Sequence, residues 1–272
     1  MKIYRCLTED GQIHYGLHSS EAFGTMQVLE GEIFNSLTPT DKHLKILAYL
    51  PPVTPPNIFA LGFSYRKHAD EIGTNVSPYP VVFIKANTSL TGHETTILLP
   101  TAGPDQVDYE GELAVIIGKA GKNIKLSEAM NHVFGYTCAN DVSARDWQFE
   151  KQKGQWTRGK GFDTFCPLGP CLVTRDEIPN PNLLSIRTMV NDQVVQDAST
   201  AEMIYDIATI VSDLSQSLTL LPGTVILTGT PEGVGFTRQP PLFLREGDRV
   251  TVTIEGIGTL TNAVERELLS VS

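Results

Sequence analysis

Four prolines in six residues, Pro51-Pro52-Val53-Thr54-Pro55-Pro56, interrupt this 272-residue chain near its start. Each ring fixes φ and removes a backbone donor, so the segment can be neither a helix interior nor a central strand. It reads as a stiff extended connector, residues 51–56. The connector separates a small β-rich N-terminal domain, residues 1–50, from a main domain, residues 57–272. Within the first unit, the apolar runs 3–7 and 13–17 flank Asp10-Gly11, a pair suited to a tight hairpin turn. Residues 41–50 are predicted to be helical.

Beyond the connector, short β-branched and aliphatic runs dominate, at 58–61, 81–85, 113–117, 133–137, 184–190, 225–227 and 250–254. Gly, Pro, Asn and Asp separate them, as in many strands joined by turns. Asn191-Asp192 between two apolar runs marks another hairpin. One long helix is expected. Ser199-Thr200-Ala201-Glu202 has capping-box spacing, and Met203, Ile204, Ile207, Ile210, Val211 and Leu214 follow at helical intervals as core packing. Pro222-Gly223 closes the segment. Strands in runs with few helices point to an α+β, β-dominated fold and not to a regularly alternating parallel sheet.

The formal net charge is −10, with acidic and basic residues interleaved. A polyanion would be repelled, so no nucleic-acid partner is expected. A small anionic substrate remains compatible, because one local cation can dominate a site. No apolar run is long enough to span a bilayer and the N-terminus lacks a secretory pattern, which predicts a cytoplasmic protein with no membrane partner. Cys6, Cys138, Cys166 and Cys171 include no C-x-x-C pair and are expected as buried, reduced thiols.

The chemistry is concentrated in five segments. In Asp108-Tyr109-Glu110-Gly111-Glu112-Leu113-Ala114-Val115-Ile116-Ile117-Gly118, strand alternation puts Glu110 and Glu112 on one side, with Ala114 and Ile116 continuing that face into the core. Two buried carboxylates repel, and a hard divalent cation such as Mg²⁺, Mn²⁺ or Ca²⁺ resolves the conflict. The bland alternative is an exposed strand end with solvated glutamates. Asp141 ends the run Phe134-Gly135-Tyr136-Thr137-Cys138-Ala139-Asn140, either as the N-cap of a following helix or as a third oxygen ligand. In Tyr65-Arg66-Lys67-His68-Ala69-Asp70-Glu71, a helical turn would place His68 and Glu71 on one face, as a base and its orienting carboxylate or as a surface pair. Lys160 lies between two glycines, where the backbone can approach an anionic ligand closely. Thr228-Gly229-Thr230-Pro231-Glu232-Gly233 offers N–H groups and hydroxyls to an oxyanion but lacks the order of a phosphate loop.

Together and in this order, S-Y-R-K-H-A-D-E, D-Y-E-G-E-L-A-V-I-I-G-K, N-D-V-S-A-R-D, K-G-F-D-T-F-C-P-L-G-P and T-G-T-P-E-G-V-G resemble the fumarylacetoacetate hydrolase family from about Pro56 to the C-terminus. The resemblance implies a β-roll of mixed sheets with a small N-terminal domain, assembled as a homodimer. It makes residues 57–272 the catalytic domain. It assigns Glu110, Glu112 and Asp141 to a Mg²⁺ or Mn²⁺ site, with Ca²⁺ as a structural substitute. It makes His68 the base supported by Glu71, and Lys160 the cation that holds substrate. It puts Arg145, Gln148 and Thr230 among the substrate contacts. Leu61 stands where the founding hydrolase has a further aspartate ligand, so the chain resembles the bacterial three-acid branch, with its acylpyruvate hydrolases and 2-hydroxyhepta-2,4-diene-1,7-dioate isomerases.

The activity so implied is metal-dependent hydrolysis of a carbon–carbon bond in a small 2-oxo acid of the acylpyruvate type, through an enolate. The same groups also serve an oxaloacetate-type decarboxylase, the dienedioate isomerase or a 2-oxo-4-enoate hydratase. Outside catalysis, a metal-stabilised binding protein would keep the acids without needing His68, Glu71 and Lys160 together.

Overall fold

The computed structural model describes residues 1–19 and 23–268. The run 113–117 explains much of the architecture. Unbroken aliphatic side chains mean that both faces of a strand must be covered, and every residue of the Gly111–Ile117 strand is buried. Leu113, Val115 and Ile117 point into one core, while Ala114 and Ile116 enter a second on the opposite face.

That strand lies inside a long mixed sheet. In spatial order the sheet runs Ile13–His18, Thr25–Glu32, Ser36–Leu50, Lys2–Thr8, Cys166–Thr174, Val133–Asn140, Gly111–Ile117, Val225–Leu227, Ile58–Gly62 and Val81–Lys85. Most neighbours are antiparallel, but Val225–Leu227 and Ile58–Gly62 run parallel. A five-stranded sheet, Gln193–Ser199, Ser185–Val190, Arg249–Ile254, Gly258–Arg266 and Thr96–Leu99, shares the first core through Ile186, Val252, Ile254 and Leu260. The β-dominated α+β expectation and the rolled, mixed-sheet form are both observed.

The first strand bridges the two regions divided by the proline segment. Residues 4–8 pair with Ile13–His18 and Ser36–Leu50, while Lys2 and Ile3 pair with Val173 and Leu172 of the main sheet. Residues 51–57 carry neither helix nor strand, and Val53 is buried against the second core. The hairpins at Asp10-Gly11 and Asn191-Asp192 form as expected.

Two helical expectations are corrected. Residues 41–50 form part of the Ser36–Leu50 strand, because the edges of Thr25–Glu32 and Lys2–Thr8 take up its backbone groups. The capping box at Ser199 and Glu202 is present, but it closes a single 3₁₀ turn, Thr200–Glu202. Met203 then bridges to Tyr65, and the Ile204 N–H donates to the Ser64 carbonyl. The long helix, Ile207–Ser217, starts afresh with Asp206 as N-cap and buries Ile207, Ile210, Val211 and Leu214. Among the described residues no helix is long and apolar enough to cross a membrane, and all four cysteines are free and buried.

Close strand approach leaves little slack around the centre of the sheet. A Cβ on Gly135 would lie 2.2 Å from the Val173 carbonyl oxygen of the neighbouring strand. Gly135→Ala is expected to part these strands and cost about 1–3 kcal/mol. The measurement is a urea titration, in which the midpoint should fall with little change in slope.

Candidate metal centre and active site

Glu110 precedes the Gly111–Ile117 strand, Glu112 is its second residue, and Asp141 follows the last residue of Val133–Asn140. The two strands pair antiparallel with Gly111 opposite Asn140, so the ladder itself delivers three carboxylates to one end. Their candidate ligand oxygens lie within 4.8 Å of one another and all three residues are buried. The Asp141 N–H donates to the Glu110 carbonyl at 2.8 Å, and Asn140 Oδ1 accepts from the Glu110 N–H at 2.9 Å. Gly111 faces away from the acids. A Cβ there would meet Thr188 Oγ1 at 2.0 Å, which is why a glycine separates the two glutamates.

Charges this close and this far from water need compensation. Lys160 Nζ lies 2.8 Å from Glu110 Oε2, Asp141 Oδ2 and Ser143 Oγ. Lys85 Nζ donates to the other oxygen of Asp141 from below. Arg145 Nη1 is 2.7 Å from Glu110 Oε1, and its Nε donates to Asp108. Burial pushes Glu110 up, but Lys160 and Arg145 outweigh it and hold the carboxyl well below the usual range. Burial pulls Lys160 down, yet Asp141 and Glu110 raise it further.

Glu112 is treated differently. Its Oε2 accepts from the Gly229 N–H at 2.6 Å, and its Oε1 is buried with no hydrogen-bond partner. Burial first, then Asp141 and Glu110, push this carboxyl well above the ordinary value. A bare oxygen beside two other carboxylates fits a hard divalent cation. Glu110, Glu112 and Asp141 are the residues that would hold Mg²⁺ or Mn²⁺.

His68 sits on the short helix Arg66–Glu71, and its Nδ1 lies 3.0 Å from Glu71 Oε2, as the i, i+3 spacing predicts. Burial raises Glu71, but bonds from His68, Thr237 and the Gly233 N–H hold it below its ordinary value. An ionised Glu71 makes Nδ1 the donor, which leaves Nε2 free to accept a proton. His68 lines the same cleft as Glu110, Arg145, Gln148, Lys160 and Thr230. Phe63, Phe83, Phe149, Trp156 and Phe236 form much of the remaining wall.

Six of the nine residues singled out from the sequence line one cleft, while Glu112 and Asp141 are buried beside Glu110 and Glu71 supports His68 from behind. Some have more structural work than a substrate contact would. Thr230 Oγ1 donates to the Gly111 carbonyl and accepts from Gln196 Nε2, which fixes the segment between the two glutamates. Arg145 also bonds Gln148 Oε1 at 2.8 Å. Asp141 caps no helix. Ser143-Ala144 forms a two-residue strand and a π-helical turn, Asp146–Lys151, follows. Sequence reasoning missed Lys85, Asp108, Ser143 and Gln196. The only available signal was a lysine ending the apolar run 81–85, where a buried charge demands a partner.

The family model for the fumarylacetoacetate (FAA) hydrolase C-terminal domain matches residues 57–265. A Dictyostelium discoideum protein, fumarylacetoacetate hydrolase domain-containing protein 2 homolog, is 42% identical over 257 residues, covering 85% of this chain and 84% of its own. Human mitochondrial oxaloacetate tautomerase FAHD2A is 46% identical over 219 residues, covering 80% and 69%. Among solved structures, a 5-carboxymethyl-2-hydroxymuconate delta-isomerase from Mycobacterium smegmatis superposes with TM-score 0.85 at 38% identity, covering 98% of this chain and 100% of that one. A 2-hydroxyhepta-2,4-diene-1,7-dioate isomerase from Mycobacterium marinum gives 0.83 at 38%, covering 98% and 99%.

Glu112→Gln removes the uncompensated charge and should stabilise the metal-free protein at neutral pH by about 1–3 kcal/mol. Folded Glu112 binds its proton more tightly than unfolded Glu112. Its contribution therefore makes the metal-free wild type gain stability as pH falls through the raised value towards the usual 4.5, and lose it as pH rises. Thermal melts should show Mn²⁺ raising the wild-type midpoint and leaving Glu112→Gln almost unmoved. Arg145→Met strands Asp108 and Glu110 in the interior, and chemical denaturation should show a loss of about 3–5 kcal/mol.

Proposed function

The chain belongs to the fumarylacetoacetate hydrolase family, and from that premise we propose that it is a divalent-metal-dependent isomerase of small 2-oxo acids, interconverting the keto and enol forms of an oxaloacetate-type substrate. The observation that carries this reading is the His68–Glu71 pair, one oriented base in the same aromatic-walled cleft as Glu110 and Lys160. Enolisation needs one proton acceptor at carbon, stabilisation of charge at oxygen and little water. The names of the relatives support moving isomerisation ahead of the carbon–carbon hydrolysis that the motifs put first.

When bound by Glu110, Glu112 and Asp141, a divalent cation would attract the substrate carboxylate and C2 oxygen and stabilise negative charge developing on that oxygen. The protein residues do the rest. His68 takes the C3 proton at Nε2 while Glu71 holds Nδ1–H and offsets the imidazolium charge. The Lys160 ammonium, held by Glu110, Asp141 and Ser143, sets a fixed positive charge beside the oxygen that gains charge. Return of the proton at oxygen completes the change from a C–H to an O–H bond, and the reverse order restores the keto form. Arg145 and Gln148 border the same space, and their side chains would meet a second carboxylate there. The aromatic wall keeps bulk water from the charged intermediate and shortens the reach of the cleft.

The test follows loss of the enol absorbance of oxaloacetate with Mg²⁺, while pyruvate and carbon dioxide are measured separately. Acetylpyruvate is assayed in parallel for cleavage. His68→Asn should lower the tautomerisation rate by about 10²–10⁴-fold with the metal affinity retained. Lys160→Met should cost about 10²-fold. Metal-dependent pyruvate from acetylpyruvate, with no tautomerisation, would return hydrolysis to first place. Release of carbon dioxide alone would make the protein a decarboxylase.

A further inference from the structure

The groups of the proposed site enter the cleft on two arms from distant parts of the chain. The turn from the Ile58–Gly62 strand into Arg66–Glu71 presents His68. Residues 145–161 present Arg145, Gln148 and Lys160. Trp156 lies where the arms meet.

Its six-membered ring fills the space above Gly62. A Cβ built on Gly62 would come within 2.2 Å of Trp156 Cζ3 and 2.6 Å of Cη2. Gly62 is not among the glycines with positive φ, so its backbone does not require glycine. The missing side chain is what the tryptophan uses. The next residue, Phe63, adopts φ 57°, an uncommon conformation for a bulky side chain, and meets Trp156 edge-on with centroids 5.0 Å apart. Phe83 packs on the tryptophan from another side at 5.4 Å, and the same Phe83 ring lies 5.3 Å from the Lys160 ammonium. The Trp156 carbonyl accepts from the Lys160 N–H at 3.0 Å, closing the turn that carries the lysine. Gly159, one residue before the lysine, packs against the Gln148 backbone, where a Cβ would lie 2.7 Å from the Gln148 nitrogen. The side chain of Trp156 is thus engaged with the His68 arm and its main chain with the Lys160 arm.

We propose that Trp156, seated in the notch left by Gly62, is a positioning residue that sets His68 and Lys160 relative to each other. The roles of those two residues rest on the function proposed above. Among the described residues no hydrogen bond joins Trp156 to the three acids, so its influence should fall on substrate binding and turnover and spare the metal.

The experiment uses the full chain loaded with Mg²⁺. Oxalate, a planar dianion that imitates the enolate of a 2-oxo acid, is titrated calorimetrically, and kcat and KM are measured for oxaloacetate tautomerisation. Gly62→Ala and Trp156→Ala should each weaken oxalate binding and lower kcat/KM by about tenfold or more. Mg²⁺ affinity should stay within about threefold, well inside one factor of ten in Kd. The paired change Gly62→Ala with Trp156→Phe should recover much of what Gly62→Ala loses, because phenylalanine lacks the outer ring atoms that a Cβ on residue 62 would strike. Near-wild-type oxalate binding and turnover in both single variants would overturn the proposal. So would Mg²⁺ affinity falling in step with oxalate affinity, or a paired variant no better than Gly62→Ala. If the wild type binds oxalate in a Lys160-dependent way but catalyses no tautomerisation, the functional reading fails while the oxalate arm still judges Trp156.

Discussion

Glu110, Glu112 and Asp141 converge at one end of a ladder that excludes water, and their mutual repulsion governs what surrounds them. Lys160, Lys85 and Arg145 each answer part of that charge, from three different stretches of chain. Asp108 in turn holds Arg145 and accepts from the backbone of Gly235 and Phe236. One electrostatic demand therefore organises a network that reaches from the central strands to the cleft wall. The unanswered oxygen of Glu112 is the point in the network whose chemistry fits a divalent cation.

This demand also explains why the strands carrying the acids are covered on both faces. A carboxylate held near water would need no partner, and a dication bound there would be worth little. Burying the ladder between two cores raises the cost of each charge and the strength of each interaction that offsets it. The aromatic wall extends the same low-dielectric setting to the place where substrate would sit.

Much of this was legible in the chain because its signals are local. Alternation in E-G-E-L-A-V-I-I gives the shared face of the glutamates, and H-x-x-E gives the His68–Glu71 pair once a helical turn forms. Local signals misled where a distant strand decided the outcome. Residues 41–50 contain Leu, Lys and Ala, which favour helices, yet two neighbouring strands claim the backbone. The Ser199 cap was real, but the chain beyond it docks on residues 64–65 before a helix can continue. Lys85 lies 56 residues from its partner Asp141, and no spacing rule connects them. The resemblance to a known family supplied roles that residues alone left open between a surface pair and a catalytic one.

The loop after Val225–Leu227 is grasped by two carboxylates. Glu71 takes the Gly233 N–H and the Thr237 hydroxyl, and Asp108 takes the N–H groups of Gly235 and Phe236. One of these acids holds His68, and the other steadies Arg145 beside Glu110. The loop is thus a shared datum from which the His68 arm and the Arg145 arm are both positioned. Variation inside it would disturb the settings of His68 and Arg145 at once, and could seldom improve one without harming the other. Divergence towards new substrates is freer at the aromatic rim, where Phe149 stands half-exposed and answers to neither carboxylate. A lineage built on this frame can change what it accepts long before it can change how it reacts.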